Sequence, residues 1–94
     1  MIHAPTRLAL VSLLAASEWA EFRFIRDNLE MSDSALSKQL SALEEAGYVE
    51  IRKSFVGKWP RTSARLTRRG RTAFTRHVQA LQEMVSRAGE SILP

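Results

Sequence analysis

The sequence has no cysteine among its 94 residues. That absence excludes a disulfide framework, a thiolate nucleophile, a thiolate-held metal and redox sensing by thiols. Histidine is nearly as scarce: His3 and His77 stand alone, without the further ligands that a metal site needs, so no metal is expected. No hydrophobic run approaches the length that crosses a bilayer, and the first residues lack the basic, apolar and small-residue segments of a secretory signal. A cytoplasmic protein is expected. Paired carboxylates, a serine triad and a glycine-rich phosphate loop are also missing, which leaves no catalytic residue and no cofactor to assign. An enzyme is therefore not expected.

Acid is missing from one stretch in particular. Residues 51–82 carry nine Lys/Arg and no Asp or Glu, whereas residues 1–50 carry eight acids and four bases. The net charge of +4 thus conceals a positive field that belongs to one region. A solvated surface normally mixes signs, so this segregation points to a surface for a polyanion. The remaining composition, 45% hydrophobic, suits one domain over residues 1–94 with a modest core, a size at which an oligomer interface often supplies part of the stability.

Periodicity divides the chain into six parts. TRLALVSLLAAS, entered through Pro5, is apolar nearly all round, with Leu8, Leu10, Val11, Leu13 and Leu14 covering most of a helix circumference. EWAEF reads as a short extended connection holding Trp19, and FRFIRDNLE as a short helix turning Phe22, Ile25 and Leu29 inward. Ser32 is a good N-cap and Asp33 suits the positive end of a helix dipole, so a third helix starts there and stops at Gly47. Within it Leu36, Leu40 and Leu43 make a core stripe, and Ser34, Ser37, Lys38 and Ser41 an opposite face that is small, polar and cationic. Gln39 sits at the flank of the stripe.

YVEIRKSF alternates like a half-buried strand, with Val49 and Ile51 inward, and TSARLT supplies a second strand through Ala64 and Leu66. Between them VGKWPR forms the tip of a hairpin, where Gly57 gives backbone freedom and Pro60 fixes a torsion. Trp59 is expected to fold back on Phe55 or on the domain, because large aromatics usually bury themselves. Thr67 then caps a long helix over about residues 68–88, ended by Gly89, with Phe74, Val78, Leu81 and Val85 on one seam. Arg68, Arg69 and Arg71 crowd its start, the unfavourable end for cations on dipole grounds.

Helix, short extended piece, helix, helix, strand, wing, strand, helix is the order of a winged helix-turn-helix, mainly α with a small β-hairpin (α+β). SDSALSKQLSALEEAGYVEIRKSF, a basic hairpin tip and RLTRRGRTAF together resemble the MarR-like and ArsR-like winged-helix transcriptional regulators, and more narrowly the small stand-alone winged-helix DNA-binding domains. The likeness covers roughly residues 5–81. It implies that residues 33–46 form a recognition helix in the major groove of double-stranded DNA, with Ser32, Ser34, Ser37, Lys38 and Ser41 as its contacts. It implies equally that Lys53, Lys58, Trp59, Arg61 and Arg65 belong to a wing that reaches phosphates or the minor groove.

The greasy first helix and the long last helix both want a partner, which predicts a homodimer through Leu10, Leu14, Phe74, Val78, Leu81 and Val85. Such a dimer would set two recognition helices about one DNA turn apart. Without a separate effector domain, a small-molecule signal could bind only between the dimer helices and the DNA-binding lobe. The expected function is a sequence-specific repressor. The alternative is a winged-helix protein-interaction module, which would need an apolar or acidic exposed stripe on the recognition helix.

Overall fold

The computed structural model describes residues 4–92, and the side chains of residues 6–89. Helix α1 (Ala4–Ala15) leads through strand β1 (Ala20–Glu21) into α2 (Phe22–Leu29) and α3 (Asp33–Glu45). A hairpin of β2 (Val49–Val56) and β3 (Trp59–Leu66) precedes α4 (Arg68–Ile92). The three strands form one antiparallel sheet in the order β1-β3-β2. Its register pairs Val49 with Leu66 and Ile51 with Ala64, while Ala20 faces Ala64 from the other side. Four helices and a three-stranded sheet in this order are a winged helix. His3 lies outside the described residues.

The core sits where the leucine stripe of α3 meets α1, α2 and the inner face of the sheet. Leu36, Leu40 and Leu43 are buried there with Ile25, Ala20, Val49, Ala64 and Leu66. Leu10 and Leu14 have no exposed surface at all. This corrects their expected place in a dimer interface: both lie inside the chain's own core and offer nothing to a second copy. An all-round apolar helix announces burial, yet its pattern does not say which side meets its own domain. Phe74 also packs partly against this core, whereas Leu81, Met84 and Val85 further along α4 are exposed.

Local chemistry fixes the joints. Ser32 Oγ accepts the Ala35 N–H and so caps α3. At the other end Gly47 adopts φ +82°, its N–H bonding Glu44 O while the Tyr48 N–H reaches Leu43 O, a Schellman closure that a left-handed residue makes possible. Thr67 ties this closure to the last helix: its hydroxyl donates to Gly47 O at 2.7 Å and accepts the Gly70 N–H at 3.0 Å. Helix α4 does not stop at Gly89 as expected but continues to Ile92. One glycine costs a helix only about 1 kcal/mol, and no proline or polar cap follows it at once. The long helix carries the molecule out to 63 Å in its largest dimension, with a radius of gyration of 15.8 Å against roughly 12 Å for a compact chain of this length.

Candidate nucleic-acid interface

The hairpin differs from expectation at its tip, and the difference shapes the site. Strand pairing persists to Val56 and Trp59, leaving only Gly57 and Lys58 as the turn. Gly57 has φ +64° and Lys58 a negative φ, the sign pattern of a type II′ turn, which suits the twist of a two-residue hairpin. Alternation outward from that turn makes Phe55 and Pro60 a pair without mutual hydrogen bonds, so proline sits where a missing N–H costs the ladder nothing. Trp59 is not folded back: it is 76% exposed, and Phe55 is 73% exposed. A two-residue turn holds both rings on opposite faces of a ribbon that projects beyond the core, out of reach of an apolar shelf.

Around the tip stand the cations of the sequence argument. Lys53 and Lys58 are exposed, and Arg61 reaches Glu21 on the β1 edge at 3.2 Å. Arg65 lies at the root of the wing. It bonds Glu50 across the hairpin at 3.1 Å, and its guanidinium lies 4.5 Å from the centre of the Trp19 ring. Arg52 lies over Trp19 at 4.2 Å, so the half-buried indole is in contact with two cations.

On α3, Ser34, Ser37, Lys38 and Ser41 are all exposed on the face away from the leucines. Ser32 is exposed as well, but its hydroxyl is engaged in the helix cap and lies 3.4 Å from Ser34 Oγ. Gln39 is buried, with its Oε1 unpartnered, which removes it from base reading.

The start of α3 and the wing meet at one cleft. Arg23, Arg26 and Asp33 line it from the helix side, and Val56, Trp59, Pro60 and Arg61 from the wing. Sequence reasoning passed over Arg26, which ties the helix-turn-helix by bonding Asp33 at 2.9 Å and Asp27 at 3.1 Å. Hydrogen bonds to Asp33 first and Asp27 second raise its pKa, so it stays charged at every relevant pH. The seven-residue separation of Arg26 and Asp33 gives no local periodic signal. Only the tight turn through Glu30, in the left-handed region at φ 52°, brings them together. The arrangement therefore offers an exposed hydroxyl-and-lysine helix face beside a projecting ribbon of cations and aromatics.

A second concavity lies between α1 and α4. It is an apolar groove of about 400 Å³, with Leu8, Val11, Leu43, Tyr48 and Phe74 on its walls and Arg7 and His77 on its rim. Among the described residues no cluster of His, Asp and Glu could hold a metal, and no helix is long and apolar enough to cross a membrane.

This fold, with this helix face beside this wing, defines a winged-helix domain. The chain belongs to the winged helix DNA-binding domain family, whose model matches residues 6–85, and this places it outside the enzymes. It is 29% identical over 84 residues to the uncharacterized protein MJ0432 of Methanocaldococcus jannaschii, covering 89% of this chain and 91% of that one. The structure of a transcriptional regulator homologue from Pyrococcus horikoshii OT3 superposes with a TM-score of 0.82 at 25% identity, over 88% of this chain and 82% of the other. Streptococcus pneumoniae FabT, solved in complex with DNA, shares the fold with a TM-score of 0.75 at 17% identity, over 98% of this chain and 63% of FabT.

Proposed function

We propose that the chain is a homodimeric, sequence-specific repressor that reads double-stranded DNA with α3 in the major groove and grips the flanking backbone with the wing. The observation that carries this reading is convergence: the N-terminal end of α3 and the basic wing border one cleft, in a chain with no acid between residues 51 and 82. Exposed Ser34, Ser37, Lys38 and Ser41 can donate to base edges and phosphates, whereas Lys53, Lys58 and Arg61 carry charge but no base information. Cytoplasmic residence follows from the ligand.

Dimerisation is proposed through the outer part of the α4 seam, Val78, Leu81 and Val85, with Phe74 at its inner edge. Leu81, Met84 and Val85 stay exposed on a helix that runs past the body, and burying them against a second copy removes that apolar surface from water. Repression is the outcome assigned, because a dimer seated across a promoter excludes polymerase from it. A small-molecule signal would enter the groove between α1 and α4, where it could alter the spacing of the two reading heads.

The rival reading, a protein-interaction module, draws support from the exposed Phe55 and Trp59. Fluorescence anisotropy separates the two. A labelled duplex from upstream of the protein's own coding sequence is titrated beside a scrambled duplex at several salt concentrations. Preferential binding with a steep salt dependence is expected for the repressor; weak and equal binding to both duplexes would favour the module.

A further inference from the structure

We infer that the wing tip is an apolar wedge that opens a base step in the minor groove beside the recognition-helix site, so that DNA deformability contributes to site choice; this rests on the DNA-binding reading above. The tip carries four apolar residues in two cross-strand pairs, Val56 with Trp59 and Phe55 with Pro60, on opposite faces of the hairpin. Phe55 and Trp59 are the most exposed large hydrophobic side chains among the described residues, and no part of the domain shields them. On each face a cation stands two residues from the aromatic: Lys53 from Phe55 on one strand, Arg61 from Trp59 on the other. Lys58 occupies the turn itself.

That pattern defines its ligand. The partner must present stacked apolar surface within reach of closely spaced negative charge, which is what base edges framed by phosphates provide. A second copy of the tip fits poorly, because a symmetric contact would set Lys53, Lys58 and Arg61 against themselves. A ribbon with side chains on both faces is on the order of 10 Å thick, wider than the roughly 6 Å of a B-form minor groove. Seating it forces the groove open, and pyrimidine–purine steps yield most readily. The type II′ turn and Pro60 keep the ribbon from folding away, so little ordering is left to be done on binding.

The test uses the full chain carrying Trp19→Phe, which leaves Trp59 as its single tryptophan. Duplexes with a TA step or a stiff A-tract at the flanking position carry a donor and an acceptor at their ends. Binding of the TA duplex is expected to quench Trp59 emission, protect it several-fold from acrylamide and shorten the end-to-end distance. Trp59→Ala and Phe55→Ala, on surface positions, are expected to abolish the bend and to lower affinity for the TA duplex about tenfold more than for the A-tract duplex, with the melting curve unchanged. Anisotropy that reports binding while Trp59 emission, acrylamide access and end-to-end distance stay unchanged would overturn the wedge and leave the repressor reading intact. Anisotropy that never rises with any duplex would overturn the DNA reading itself. Protection of Trp59 by anionic lipid vesicles but not by duplex would assign the tip to a membrane surface and overturn the wedge as well.

Discussion

Arg61 and Glu21 are each 45% exposed, and their ion pair forms in the free protein. Exposed pairs of this kind are worth between nothing and about 1 kcal/mol, so a phosphate can displace Glu21 from Arg61, though the carboxylate then stays close and repels it. Glu21→Gln should tighten binding to every duplex about two- to fivefold without changing sequence preference, checked by anisotropy on specific and scrambled DNA. Arg61→Ala should weaken all duplexes alike and make the salt dependence shallower by about one unit per protomer. Lys38→Ala, on the exposed polar face of α3, should instead, if the proposed base reading holds, cost about 1–3 kcal/mol chiefly at one base pair; equal losses on every duplex would reduce it to a phosphate contact. Gly70 illustrates a purely structural demand. A methyl group there would lie 2.0 Å from the Tyr48 carbonyl oxygen, an oxygen already accepting the Thr67 N–H. Because both partners are backbone, Gly70→Ala should destabilise by about 1–3 kcal/mol or more, visible as a lower midpoint in urea with the helical content of the native state retained.

At the scale of elements, the wing is the part whose stability can be lowered separately from the core. Gly57 sits in open space at φ +64°, so Gly57→Ala creates no clash with the rest of the domain and costs the strain of a positive φ at a type II′ position, about 1–3 kcal/mol. The substitution should loosen the amides of residues 54–61 in hydrogen exchange and weaken DNA binding, with global melting nearly unchanged. The same contrast explains which elements could be read from sequence. Helix α3 was legible because Ser32, the leucine stripe and Gly47 each act locally, through a cap, a period and a left-handed closure. The exposed polar face of Ser34, Ser37, Lys38 and Ser41 followed from it. The wing tip was not legible, because the burial tendency of tryptophan is an average, and here the sign of one glycine torsion sends Trp59 outward. Leu10 and Leu14 were misplaced for a related reason: an apolar circumference lacks the vector that separates core from interface. The contacts of Arg52 and Arg65 with Trp19 join residues 33 and 46 positions apart, brought together only by the sheet register.

For the whole molecule, charge and shape make a joint prediction. Helix α4 is about 37 Å long, and its outer half leaves Leu81, Met84 and Val85 uncovered. A dimer closed through that seam brings two wings and two reading helices to one duplex, with half-sites about one helical turn apart. Each protomer offers Lys38, Lys53, Lys58 and Arg61 to phosphates or bases, so a dimer makes on the order of eight charge contacts and its log affinity should fall with log salt at a slope near −7. Val85→Glu, with Leu81→Glu as a second probe, places a carboxylate in the seam while leaving the core of α1, α3 and the sheet untouched. Sedimentation should change from a dimer to a 10.6 kDa monomer, circular dichroism should still report a folded domain, and the salt slope should halve to about −3.5. A folded monomer that kept the full slope would mean that one protomer makes all the phosphate contacts, and the two-headed reading would fall. A chain that stayed dimeric with either glutamate in place would move the interface off the α4 seam altogether.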